Sequence, residues 1–85
     1  MFKKGDKFVH FTKYGGVNIG LVHHYGEILC YDLDNLVVYK SFQIVTTQGV
    51  TLQLDGTDGQ VYLIDHELVA EDVEKYKQLA KTIKN

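Results

Sequence analysis

The chain has 85 residues, of which 45% are hydrophobic and 12% aromatic, which suffices for one packed domain and excludes wholesale disorder. Its single cysteine excludes an internal disulfide, and no apolar run approaches the roughly 18 residues of a membrane-spanning helix. The formal net charge is −2 and every basic residue is lysine, so the bidentate arginine contacts that read phosphate and guanine are absent.

The start of the chain differs in charge from the rest. Residues 1–16 carry four lysines and one acid, whereas residues 17–65 carry one lysine and six acids. The first residues lack the apolar stretch of a secretory signal, and a lone cysteine suits a reducing compartment, so we expect a cytoplasmic protein with no membrane partner. Lysine in place of arginine also suits an AT-rich genome such as that of a bacteriophage.

Glycines and short polar pairs divide the first 65 residues into runs of β-type composition. Turns are predicted at Gly15-Gly16, at Gly26-Glu27 and at Asp34-Asn35. Gly20, inside the second run, predicts a bulge or a tight bend of the kind that a small barrel needs. The strands predicted on this basis cover residues 6–13, 17–25, 28–33 and 36–39. Residues 41–46 are predicted either to continue the last of these strands or to follow it after a kink.

A later hairpin has the clearest strand signal. Val50, Leu52 and Leu54 alternate with polar residues, which is the pattern of a half-buried strand. A turn over residues 55–59 offers two glycines, and residues 60–64 are predicted to return as the next strand.

The hydrophobic period becomes helical over residues 66–85, and acidic residues precede lysines as the helix dipole favours. The helix is expected to begin at an Asp65 cap or only near Ala70. Its apolar stripe is expected either to dock onto the sheet or to pair with another helix, which would give a homo-oligomer. The stripe consists of Val69, Val73, Tyr76, Ala80 and Ile83.

The opening block has the pattern Gly5-Asp6-Lys7-x-Val9-His10-x-x-Lys13-Tyr14-Gly15, followed by Gly20-Leu21-Val22. This pattern resembles the start of SH3-like barrels of the Tudor and KOW type. It is nearest to the Tudor-like modules appended to bacterial helicases and to the CarD-like RNA-polymerase-binding domain. The resemblance covers about residues 3–45 and implies a binding module whose partners are RNA polymerase or nucleic acid.

The histidines and the cysteine do not form a recognisable catalytic or metal-binding pattern. His23 and His24 are adjacent in a predicted strand and therefore point to opposite faces. Cys30 lies mid-strand, whereas the nucleophile of NlpC/P60-like cysteine peptidases, whose sheet the opening block faintly resembles, lies at a helix N-terminus. Aspartates in the turns lack the ligand spacing of an EF-hand loop. We therefore expect no enzyme activity, no metal and no cofactor.

We interpret the chain as one mainly β domain, an SH3-like antiparallel barrel of five or six strands over residues 1–65 with a C-terminal α-helix. The predicted function is non-catalytic protein–protein interaction, as an adaptor, regulatory or assembly subunit. The protein interface is assigned to the helical stripe together with Tyr14, Tyr25 and Tyr39. The alternative is nucleic-acid binding through the basic N-terminal hairpin, with Lys3, Lys4, Lys7, Phe11, Lys13 and Tyr14.

Overall fold

The computed structural model describes residues 1–82, which form five β-strands and one α-helix. The predicted interface residue Ile83 lies outside the described residues. The expected class, a mainly β domain with a C-terminal helix, is confirmed. The elements are β1 (Lys7–Phe11), β2 (Val17–Asp32), β3 (Val37–Thr46), β4 (Thr51–Gln53), β5 (Gln60–Ile64) and α1 (Ala70–Thr82).

All neighbouring strands are antiparallel, and their order across the sheet is β4-β3-β2-β1-β5. The sheet is open, because β4 and β5 occupy opposite edges and do not pair within residues 1–82. The predicted closed barrel is therefore not confirmed. The hairpin predicted over residues 50–64 is wrong, because residues 54–59 cross to the other edge of the sheet, where β5 pairs with β1 and not with β4. The sheet is nevertheless strongly curled, because Asp58 is bonded to both β4 and β1. Its side-chain carboxylate accepts a hydrogen bond from the Gln53 amide of β4 (2.8 Å), and its backbone carbonyl accepts one from His10 Nε2 of β1. In a flat sheet those two strands would be about 14 Å apart.

β2 is a single strand of 16 residues, where the sequence predicted two strands separated by a turn at Gly26-Glu27. Its first part pairs with β1 and its later part pairs with β3. Gly26 lies in the ladder opposite Gln43, so the hydrogen bonds of the long β2–β3 pair override the local turn signal. Residues 41–46 continue the strand predicted over residues 36–39, which is one of the two expected arrangements, since β3 runs from Val37 to Thr46.

The irregularity in β2 lies at His23, where the register with β3 shifts between Val22 and His24. The sequence had predicted it at Gly20. Gly20 has another role: it lies opposite Phe8, and a Cβ there would be 3.0 Å from the Phe8 ring. The missing side chain leaves room for the far end of the Phe8 ring, so this glycine serves close packing.

β1 is buried on both faces. On one face Phe8 belongs to a cluster with Val22, Ile44 and Leu52, and on the other Val9 and Phe11 pack with Ile64 and Ala80. Each fully buried side chain of this size contributes about 1.5–3 kcal/mol. The two clusters make β1 the centre of the fold, with α1 covering the second cluster.

α1 begins at Ala70, the later of the two expected starts. The Val69 amide donates to the Asp72 carboxylate (3.2 Å) and the Asp72 amide donates to the Val69 carbonyl (3.0 Å), which caps the first turn. His66 lies 3.3 Å from Asp72, so this carboxylate holds the preceding loop as well. Tyr76 packs edge-on against Phe11, with ring centroids 6.1 Å apart.

Candidate interaction surface

β2 and β3 extend beyond the rest of the sheet as a two-stranded arm, which we define as residues 27–42. Among the described strands, β1 pairs with β2 only up to Leu21, and β4 pairs with β3 only from Gln43. The radius of gyration, 13.8 Å, exceeds the roughly 12 Å of a compact domain of this length. The molecule measures 44 × 29 × 19 Å. The arm therefore projects from the folded body.

The arm has two faces because successive strand residues alternate and opposite residues share a face. One face continues the face of buried Ile44, and we call it the core-side face. Its apolar members are exposed to between two-fifths and three-quarters, although apolar strand residues at such positions are usually covered. The core-side face carries Glu27, Leu29 and Tyr31 of β2 and Val38, Lys40 and Phe42 of β3.

The tip of the arm is held by one carboxylate. Asp32 accepts hydrogen bonds from the Asn35 side chain (2.8 Å) and from the amides of Asp34 (3.0 Å) and Asn35 (3.2 Å). These bonds, the Asn35 side chain first, lower the pKa of Asp32. In the turn that follows Asp32, the side chains of Leu33 and Leu36 are about three-quarters exposed. Leu36 also has a positive φ of 55°, a conformation that leucine rarely adopts.

The base of the core-side face is aromatic. The Tyr25 and Phe42 rings are stacked with centroids 5.5 Å apart and planes 5° apart, and the Phe2 ring lies 6.1 Å from Tyr25. Two exposed lysines, Lys3 and Lys4, directly follow Phe2 in the chain. Basic groups thus lie at the base of the arm, and the acidic pair Asp32 and Asp34 lies at its tip.

The opposite face of the arm is more enclosed. Ser41 is buried on it, and the Tyr39 hydroxyl donates to the Asp55 carboxylate across 3.1 Å. This bond is the main reason why the pKa of Tyr39 rises to about 12, since losing the proton would place two anions together. The pKa of Asp55 is lowered, chiefly by hydrogen bonds from Thr57. The turn after β4 therefore occupies part of this face.

The predicted helical interface residues divide into two groups. Ala80 is buried against the sheet and Tyr76 packs on Phe11, so these two serve internal docking of α1. Val73 is half-buried, whereas Val69 is 55% exposed. The structure brings Ala80 and Tyr76 into one internal cluster and leaves Val69 apart from it.

The three predicted interface tyrosines lie at separate places. Tyr14 is 97% exposed in the turn between β1 and β2. Tyr25 lies in the aromatic row at the base of the arm, and Tyr39 lies on the opposite face of the arm. Of these three tyrosines, Tyr39 belongs to the arm and Tyr25 lies at its base.

The residues of the nucleic-acid alternative are dispersed along β1. Lys3, Lys4 and Lys7 lie at one end of this strand, while Lys13 and Tyr14 lie beyond the other end. Phe11, one of the two aromatic residues assigned to this alternative, is 1% exposed and offers no free face on which a base could stack. The lysines therefore do not form one continuous groove with an aromatic platform.

The histidines and the cysteine do not converge. His23 and His24 are exposed at the bulge, His10 donates to the Asp58 carbonyl, and Cys30 lies mid-strand opposite Tyr39. Within residues 1–82 no three histidine, cysteine or acidic side chains are placed to hold a metal ion. No helix of this part of the chain has the length and apolar character needed to cross a membrane.

The exposed arm residues are the feature that the sequence interpretation missed. The runs over residues 28–31 and 36–39 are apolar on both faces, which is typical of strands buried on both sides. The usable signal was that two such runs flank an Asp34-Asn35 turn, so they had to pair with each other first. The local sequence of these two runs does not determine whether a further strand covers them.

Comparison of the chain with protein-family models, with curated proteins and with solved structures gave no match in any of the three.

Proposed function

We propose that this chain is a non-catalytic protein-interaction module whose contact surface is the core-side face of the arm. The observation that carries the proposal is the exposure of Leu29, Tyr31 and Val38, to 72%, 59% and 59%, on an arm that no third strand accompanies within residues 1–82. Contiguous apolar surface of this kind on a small domain typically marks a binding site. Aromatic and aliphatic anchors of this kind also supply most of the free energy in protein interfaces.

The backbone at the tip supports the same function. Leu36 is 74% exposed and adopts a positive φ, so both its solvation and its conformation are unfavourable. Glycine or asparagine would fit that position without strain. The positive φ of this leucine destabilises the folded chain by about 1–2 kcal/mol, and a contact of its side chain with a partner would offset that cost.

An SH3-like barrel, open between β4 and β5, is the finer fold assignment that we propose. β1 to β4 are sequential neighbours, and β5 then returns to pair with β1 on the other side. The six residues 54–59 join the two edges, and Asp58 in that connection bonds to both β4 and β1. A sheet curled in this way tends toward a barrel. With the sequence resemblance, this architecture makes RNA polymerase one candidate partner.

The test is protein capture by immobilised wild-type chain and by the Leu29→Asp variant, from cells of the source organism. Leu29 is exposed, so the change should leave folding intact while placing a charge on the core-side face. Val69→Asp is the matched control, because Val69 is comparably exposed but lies at the start of α1. The proposal expects proteins, including further copies of this chain, that bind wild type and Val69→Asp but not Leu29→Asp.

Ionic strength separates this function from the nucleic-acid alternative. An apolar contact should persist as salt is raised, whereas lysine contacts with a nucleic-acid backbone weaken steeply. Capture of nucleic acid alone, lost at high salt and unaffected by Leu29→Asp, would reject the protein-interaction function.

A further inference from the structure

We infer that the occupant of the core-side face is the same face of a second copy of this chain, with the two arms antiparallel about a two-fold axis. This inference rests on the proposed function and names the partner. It depends on three features of the arm: the distribution of charge along it, the fit of its two ends to each other, and the area that it exposes.

The arm carries charges of opposite sign at its two ends. The exposed Asp34 lies in the turn at the tip, next to Asp32 of the opposite face, while Lys3 and Lys4 directly follow the base residue Phe2 in the chain. In the middle, Lys40 and Glu27 pair with each other at 3.6 Å and cancel. A two-fold axis across the arm brings each acidic tip onto the basic base of the other copy, so the same attraction forms twice. A parallel arrangement would place like charges together.

The apolar groups match in the same orientation. The tip presents Leu33 and Leu36, and the base presents the ring row of Phe2, Tyr25 and Phe42. The arm is about 20 Å long from base to tip, given the rise of a strand. Antiparallel arms of that length place the tip leucines of one copy against the rings of the other. Leu29 then lies near the axis and meets its own counterpart, while Tyr31 and Val38 of one copy meet Phe42 of the other.

The exposed area is sufficient for a specific dimer. With a full side-chain area on the order of 150–200 Å², the six exposed apolar residues of this face and its tip leave about 600 Å² per copy. Pairing would bury about 1,200 Å² in total, at the lower end of stable specific interfaces. We expect a dimer with a dissociation constant in the micromolar range. The six residues are Leu29, Tyr31, Leu33, Leu36, Val38 and Phe42.

The opposite face is not equivalent. Ser41 is buried there and Tyr39 is bonded to Asp55, so the turn after β4 blocks a flat approach. The adjacent residues Val37 and Val38 therefore distinguish the faces, because they are 49% and 59% exposed and lie on opposite sides of β3. The same substitution at each tests one face against the other.

The experiment is sedimentation equilibrium over a wide concentration range on the full chain, with circular dichroism to verify folding. Wild type should show a concentration-dependent dimer. Val38→Asp should raise its dissociation constant on the order of a hundredfold, and Val37→Asp should change it less than about threefold. Equal effects of the two variants would overturn the assignment of the face.

Charge reversal tests the antiparallel orientation. Asp34→Lys and Lys3→Asp should each weaken the dimer, and the double variant should restore it, because the tip and base would attract again with signs exchanged. The Asp34 side chain is suitable because only the backbone amide of Asp34 bonds to Asp32. Failure of the double variant to recover would overturn the antiparallel pairing.

A wild-type chain that is monomeric throughout the range would reject the second copy as occupant. The proposed function would survive that result if Leu29→Asp still abolished capture of another protein. Loss of both dimer formation and arm-dependent capture would reject the function itself.

Discussion

Gly59 lies directly against the backbone of Phe11: a Cβ on this glycine would be 2.2 Å from the Phe11 carbonyl oxygen. Gly59 also has a positive φ of 99°. The connection from β4 to β5 thus passes over the end of β1 with no space for any side chain. Together with the bond from His10 to the Asp58 carbonyl, this contact curls the two edges of the sheet toward each other.

Gly59→Ala is therefore expected to be strongly destabilising. The new methyl group would meet a backbone oxygen, which cannot move without displacing β1, so we expect a loss of at least about 3 kcal/mol in the free energy of unfolding. Urea unfolding followed by circular dichroism measures this loss as a lower midpoint at unchanged slope.

Gly49→Ala is the matched control for this substitution. Gly49 has a similar φ of 83°, but a Cβ there would have no atom within 4 Å. Its cost should be the conformational one alone, about 1–2 kcal/mol. If the two variants lost the same free energy of unfolding, the positive φ alone would explain both losses. The close approach of Gly59 to the Phe11 backbone would then add no further cost.

Tyr76→Ala is expected to lower the stability of the domain by about 2–4 kcal/mol. The Tyr76 ring packs edge-on against Phe11 and belongs to the cluster that docks α1 onto the sheet. Leu79→Ala, three residues along the helix at a half-exposed position, should cost less than about 1 kcal/mol. Thermal unfolding of both variants compares them. If Tyr76→Ala unfolds no earlier than Leu79→Ala, internal docking is not the role of this tyrosine.

Local signals were sufficient for several elements. Residues 60–64 were predicted as a strand and form β5, because strict turn chemistry at residues 55–59 sets its start. The Asp34-Asn35 turn is present, fixed by hydrogen bonds to Asp32. The acidic and basic ends of α1 likewise favoured a helix whatever it packs against.

The errors arose where pairing between distant residues decides the conformation. Gly26-Glu27 has the composition of a turn, but the β2–β3 ladder continues through it. The exposure of Leu29 and Val38 was unpredictable for a related reason. An apolar strand is buried or exposed according to its third neighbour, and β4 is too short to reach the arm. The candidate surface could therefore be identified only from the assembled sheet.

The alkaline titration of Tyr39 gives a pH-dependent prediction. Its pKa in the folded chain is about 12, raised from an ordinary value near 10 chiefly by the hydrogen bond to Asp55. Because the protonated form is favoured in the folded state, the contact stabilises fully below about pH 10 and is lost as pH rises toward 12. Tyrosinate absorbance should therefore show a late step near pH 12 that belongs to Tyr39.

Asp55→Asn tests the cause of that shift. Removing the carboxylate should lower the pKa of Tyr39 toward its ordinary value, and Tyr39→Phe should delete the late step altogether. Both variants retain the size of the original side chain, so packing is conserved. An alkaline titration curve that Asp55→Asn leaves unchanged would contradict the assignment of the shift to this carboxylate.

Leu36→Gly separates the effect of Leu36 on the stability of the arm from its proposed contribution to self-association. Glycine adopts a positive φ without strain, which should stabilise the folded state by about 1–2 kcal/mol. Glycine also has more conformational entropy in the unfolded state, and losing it on folding costs about 1 kcal/mol. The stability of dilute, monomeric protein should therefore change by less than about 1 kcal/mol.

Leu33→Gly is the matched control, because Leu33 is equally exposed in the same turn but has no positive φ. Glycine relieves no backbone strain at this position, so Leu33→Gly should be less stable than Leu36→Gly. Both variants should weaken self-association, because each removes a tip leucine. A Leu36→Gly variant that loses stability but still dimerises like wild type would show that this leucine serves the fold alone.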